Sequence, residues 1–316
     1  WKATWNKAWA DAGYFEAACI SMDGECWESA LNELELSLIS NSHNHKARAM
    51  KAVVLRKLGR QQEALAWIHE NYRIDPFNYV SMVEEHLLTG SDEPLERMVE
   101  LMHGNIYNYH ETALDYAQAG LEDETRLVLE TAIEKGVEKS PLTWYYLSFY
   151  SDDIFESIKD MRTASKISPD YCFPNRLEDA QMFQQMQMLT MGEDARMSYY
   201  LGCLYYDKRQ YDLAVKYWEQ SVKADPKFPT VWRNLALAYF NKSQYIPSFD
   251  SALEDEKEKA VEYMEKAFHL DKADARVLME LDQLYKRLQH PHQERLDFLQ
   301  KYPHLISQRE DLMLEE

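Results

Sequence analysis

The strongest constraint on this chain is a spacing of 34 residues. Leu201, Gly202 and Tyr205 recur as Leu235, Ala236 and Tyr239. Leu201 and Tyr205 are four apart, so they share one face of a helix. Gly202 and Ala214 are small, which lets two neighbouring helices approach closely. The Asp225-Pro226 step ends the second helix, because proline disfavours helical geometry in the residue before it. One period therefore encodes two amphipathic helices. Neither can bury its apolar face alone, and stacking successive pairs completes the core.

The same register runs upstream. Residues 45–78 carry it at Ala52, Leu55, Gly59, Ala64, Ile68 and Pro76. Residues 106–139 carry it at Ala113, Tyr116, Gly120, Leu129 and Ala132. Residues 141–172 keep Trp144, Leu147, Ala164 and Pro169 with a shorter turn. Residues 11–44 fit loosely at Ala18, Ala30 and Leu34, and residues 275–308 at Leu278, Leu281 and Tyr285. Three segments break the period. Residues 79–105 predict a short pair split at Gly90-Ser91-Asp92. Residues 173–194 predict one helix, rich in Met and Gln. An insert near 242–258 ends in a charge run that reads as solvated loop or helix extension. The expected organisation is 1–172 as irregular helix pairs, 173–194 as a connecting helix and 195–316 as regular units. Trp1, Trp5 and Trp9 are spaced as one aromatic helical stripe, expected to pack on the 11–44 unit.

The pattern of Leu201-Gly202, Tyr205, Ala214, Trp218 and Pro226 resembles the tetratricopeptide (TPR) repeat, W-x2-L-G-x2-Y, then A-x3-F, then P. The resemblance implies an all-α, right-handed superhelical solenoid of antiparallel helix pairs. A narrower resemblance rests on FPNRLEDAQMF, FPTVWRNLALAYFNK and ARVLMELDQLYKRL. These are similar to the C-terminal repeat region of large bacterial proteins. That family carries an uncharacterised N-terminal β-rich domain of suspected carbohydrate-related role. It implies no catalytic residue at any position here.

Composition narrows the function. Only 9 Gly are present in 316 residues, few for the phosphate loops and tight turns of an α/β enzyme. Neither GxxxxGK[ST], GxGxxG nor GxSxG occurs. His110-Glu111 opens an HExxH-like string, but Leu114 stands where a second histidine must sit to clamp zinc. His43/His45 and His290/His292 read as surface residues of turns. The 54 Asp and Glu single out no pair spaced for glycoside chemistry. No cofactor is expected, and no enzymatic activity. A formal net charge of -19 repels phosphate backbones, so nucleic acid is not an expected partner. No apolar run reaches the roughly 18 residues of a membrane span. Cys19, Cys26, Cys172 and Cys203 show no CxxC spacing, which fits reduced thiols and a cytoplasmic setting. Trp1 is not an initiator residue, so the chain reads as part of a longer polypeptide.

In a stack of this kind the first helix of each pair lines the concave face. The register places Lys46, Ala49, Val53 and Arg56 there, then Tyr107, His110, Leu114 and Ala117. The later units contribute Arg196, Tyr199, Cys203 and Tyr206; Thr230, Arg233, Leu237 and Phe240; and Arg276, Met279, Gln283 and Lys286. In so acidic a chain, a line holding Arg196, Arg233, Arg276 and Lys286 with Tyr199, Tyr206, Leu237 and Phe240 stands out. Arg and Tyr are enriched at interface hot spots. The expected function is a protein-interaction scaffold. Its partner is a protein or peptide of unknown identity, or another domain of the same polypeptide. Against this stands pairing of those cations with Glu neighbours around an empty groove. The alternatives of other classes are an (α/α) toroid enzyme acting on carbohydrate and a structural spacer or oligomerisation arm.

Overall fold

The computed structural model describes residues 2–137, 140–245 and 252–315. Among the described residues there are nineteen α-helices and no strand. The chain divides into two compact units, Trp1–Ser168 and Pro169–Glu316. The first contains α1 (Ala10–Asp23), α2 (Trp27–Ser40), α3 (His45–Lys57), α4 (Gln61–Ile74), α5 (Tyr79–Thr89), α6 (Glu93–Met102), α7 (Ile106–Ala117), α8 (Glu122–Glu134), α9 (Pro141–Phe149) and α10 (Ile154–Ala164). The second contains α11 (Leu177–Thr190), α12 (Ala195–Asp207), α13 (Tyr211–Ala224), α14 (Pro229–Ser243), α15 (Ala252–Leu270), α16 (Ala275–Arg287), α17 (His292–Leu299), α18 (Pro303–Ile306) and α19 (Glu310–Glu315). Helices pack as sequential pairs, α1 with α2 through α9 with α10, then α12 with α13 and α14 with α15. The all-helical, paired architecture read from the period is the one observed.

The small positions of the register sit where helices cross. Ala18, Ala30, Ala52, Ala64, Ala113, Ala214, Ala236 and Ala260 are all fully buried. At Gly202 a Cβ would overlap the Trp218 indole. The α12–α13 crossing therefore requires a residue without a side chain, and the indole fills that space. Trp218 also donates from Nε1 to the Tyr199 carbonyl at 3.3 Å.

Turn chemistry repeats as well. Between pairs, Asn41, Asp75, Asp225 and Asp271 each accept the amide two residues on, at 2.9–3.1 Å. Such Asx turns reverse the chain locally. After three of these turns the next helix is capped by Asn44, Asn78 or Asp274, each accepting a first-turn amide. A polar residue late in the second helix reaches back to a first-turn carbonyl of its partner. Ser37 donates to Asp11, Asn71 to Arg48 and Ser221 to Ala195, at 2.8, 3.1 and 2.7 Å. These bonds fix where each pair closes.

The third pair, α5–α6, is the short one expected, broken at the left-handed Gly90 (φ 70°). Its brevity lets α7 and α8 reach α3. The Arg56 guanidinium grips the fully buried Glu84 at 2.6 and 3.2 Å and Glu124 at 2.6 Å. Lys57 holds Glu124 at 2.7 Å, and the Tyr116 hydroxyl donates to Glu84 at 2.9 Å. One ionic network so ties four helices of the first unit together.

Two expectations fall differently. Trp1 lies outside the described residues, and Trp5 and Trp9 do not form a helical stripe. A 3-10 turn covers Lys2–Trp5 and α1 starts only at Ala10. Asn6 turns the chain between them, its side chain accepting the Ala8 amide at 3.0 Å. Trp5 and Trp9 are consequently exposed, at 81% and 64%. Of the expected insert, residues 246–251 lie outside the described residues, and α15 already begins at Ala252.

Two stability outcomes are expected. Gly202→Val forces the indole out of place and lowers unfolding free energy by about 1–3 kcal/mol, as overpacking does. Glu84→Ala leaves Arg56 with half its partners and costs about 3–5 kcal/mol, as breaking a buried ion pair does. Urea midpoints with unchanged slope check both.

Candidate functional site

Most inner positions of the first unit are consumed internally, while Tyr107 stays 44% exposed. Lys46 bonds Asp115 at 2.7 Å and Arg56 belongs to the buried network. Ala49, Val53 and Leu114 are buried. The His110 Nε2 atom sits 2.7 Å from the Thr143 hydroxyl, within the core. This side chain is a core residue, and neither a groove residue nor part of a metal motif.

The second unit differs, because α12, α14 and α16 present side chains that remain partly open. Arg233 on α14 and Arg276 on α16 converge on one carboxylate, Glu280. Arg233 binds it through Nε and one terminal nitrogen at 2.5 Å each, and Arg276 through Nε at 3.1 Å. The Arg276 side chain is 62% exposed, so its outer donors face solvent. Arg233 also donates to the Asn234 carbonyl oxygen at 3.3 Å, and the Asn234 amide approaches the Cys203 sulfur at 3.8 Å.

Arg196 lies flat over the Phe228 ring, 3.7 Å from its centroid. Among the described residues one of its terminal nitrogens is buried with no hydrogen-bond partner. Tyr199 packs on the same Phe228 ring at 4.9 Å. Burial raises the Tyr199 hydroxyl pKa and pushes the Cys203 thiol up to about 11, so both are neutral at pH 7. Tyr206 packs at a tilt on Trp218 and edge-on against Tyr211, and its hydroxyl accepts from Asn241 at 3.1 Å. Tyr206, Tyr211, Ala238, Asn241 and Tyr245 line a cleft of about 760 Å³ at this end of the face.

Leu237 is half-buried against the core. Phe240 is buried beneath the Arg287 guanidinium, 5.5 Å from its ring, and does not line the open face. Lys286 is engaged by Glu315 at 2.6 Å. Glu315 also accepts from Gln283 and Arg295, each at 3.0 Å. The structure thus brings Arg233 and Arg276 together, and Tyr199 with Arg196 around Phe228. It leaves Lys286 and Phe240 apart from them.

Glu280, Asn241, Phe228 and Glu315 were not among the residues expected at this face. Glu280 could have been found, since it lies four residues after Arg276 on the same helix face. Glu315 could not, because its partners are about 20 to 32 residues away with no periodic relation.

Residues 202–243 match a family model described as TPR repeat. Several solved structures are similar in fold. MamA from residue 41 to its end, from Desulfovibrio magneticus RS-1, is 20% identical, covers 64% of this chain and 95% of its own, and gives a TM-score of 0.36. PilW, a type IV pilus biogenesis factor, is 14% identical over 86% of this chain and 98% of its own, with a TM-score of 0.36. YrrB, a TPR protein with an unusual peptide-binding site, is 14% identical over 78% and 95%, with a TM-score of 0.27. The helix pairs of this chain are TPR-like, and no described helix is long and apolar enough to cross a membrane.

The Lys286 hydrogen bond is the main reason the Glu315 carboxyl is held at about 2, against an ordinary 4.5. A depressed carboxylate stabilises its contact fully above 4.5, and that contribution is lost as pH falls toward 2. Amide exchange over 310–315, corrected for intrinsic rates, is expected to accelerate selectively across that window.

Proposed function

We propose that the second unit is a protein-interaction scaffold whose inner face, along α12, α14 and α16, binds a peptide segment bearing carboxylates. The observation that carries this reading is the convergence of Arg233 and Arg276 on Glu280. Two guanidinium groups already hold one carboxylate there, and Arg276 keeps its outer donors in solvent. A ligand carboxylate meets Arg276 without Glu280 having to leave. Bidentate guanidinium–carboxylate contact supplies direction as well as attraction.

The neighbouring aromatics support the same reading. Tyr206, Tyr211 and Tyr245 offer large, stiff contact area with polar tips, which suits peptide capture. Arg196, over the Phe228 ring, adds a third cation on the same face. In a chain of net charge -19 these cations give the face a local field opposite to the rest of the surface. The match to a TPR repeat at 202–243 lies across α12–α14, where this face begins. The reading is one of binding without chemistry. The segment bound belongs either to a separate protein or to another domain of the same polypeptide.

A peptide array graded in acidic content, probed with the full chain, tests this. Acidic peptides are expected to bind best, with affinity falling as salt rises. Arg276→Glu is expected to weaken capture by about tenfold or more, as loss of a charged hot-spot contact does. The double variant Arg233→Glu with Arg276→Glu should abolish it. Undiminished capture by both variants, with melting unchanged, would sink the proposal.

A further inference from the structure

We propose that the inner side of α16 is a site for a short helix carrying a leucine and, three residues later, a glutamate, and that α19 of this chain fills it in the resting state. The inference rests on the reading of the second unit as a peptide-binding face, and it names the segment chemistry and the present occupant.

The contacts define both halves of the signature. Leu312 is fully buried within the core of the second unit, which also contains Leu284, Leu299 and Ile306. Glu315 lies three residues on, so both project from one helix face. Its carboxylate is held at both oxygens. Oε1 accepts from Gln283 at 3.0 Å and Lys286 at 2.6 Å, while Oε2 accepts from Lys286 at 2.8 Å and Arg295 at 3.0 Å. Arg295 is itself buried and fixed by Asp282 through two bonds of 2.9 and 2.6 Å. That fixed guanidinium is a built receptor for a carboxylate. Gln283 and Lys286 both fall on the inner line expected from the repeat register.

The occupant is weakly attached. Its remaining apolar residues, Met313 and Leu314, are 49% and 87% exposed. One leucine and one carboxylate, the latter paired to the half-exposed Lys286, hold it down. A partner segment presenting the same pair displaces it by mass action. α19 then acts as an internal competitor that raises the threshold for partner binding.

The test uses the full chain and a labelled peptide, QREDLMLE, matching residues 308–315, acetylated and amidated at its ends. Glu315→Gln weakens the internal occupant and leaves the receptor intact. Exchange over 310–315 is expected to quicken about tenfold, and the peptide to bind about tenfold more tightly than to the unaltered chain. Lys286→Ala should quicken exchange without that gain in peptide affinity. Peptides with the leucine that matches Leu312 changed to Ala, or the last Glu to Gln, should bind no better to either form. Unchanged exchange in Glu315→Gln shows a permanent core element and overturns the proposal. Faster exchange with no gain in peptide affinity overturns it too. Failure of the broader reading shows separately, as indifference of acidic-peptide capture to Arg233→Glu and Arg276→Glu, which lie outside the Glu315 receptor.

Discussion

Everything at the candidate face depends on how closely α12 and α13 can approach. The Gly202–Trp218 contact sets that distance. The indole occupies the volume that any Cβ at position 202 would take. With the indole in place, its nitrogen satisfies the Tyr199 carbonyl and its ring supports Tyr206. Tyr199 and Tyr206 are two of the aromatic residues of the inner face. A packing rule of the core therefore also positions Tyr199 and Tyr206.

The two units use the same repeat to different ends. In the first, the short α5–α6 pair lets α7 and α8 meet α3, and inner-face charges are absorbed by Glu84, Glu124 and Asp115. Desolvating these groups is costly, and only mutual pairing offsets it. The inner line there has become core. In the second unit α12, α14 and α16 have full length, at 13, 15 and 13 residues, and their inner side chains stay half-exposed.

Inner cations in an acidic chain are neither all free nor all neutralised. Arg233 is held by Glu280, and Lys286 by Glu315. Arg276 keeps a side chain that is 62% exposed. Each bound carboxylate shows what chemistry the neighbouring cations accept.

Much of the fold was legible because it follows from local rules repeated at one spacing. Leu201, Ala214 and Leu235 are buried, as the register implied. Periodicity also marked which helix faces turn inward. It could not show which inward cations already had partners. Arg233 and Glu280 are 47 residues apart, and Lys286 and Glu315 are 29 apart, neither a multiple of the repeat. Nor could it place Phe240 beneath Arg287, or undo the apparent Trp5–Trp9 stripe that Asn6 interrupts. A repeating spacing determines what each helix buries against its neighbour. Which charges meet across helices depends on helix length and approach distance, and these exist only once the pairs have packed.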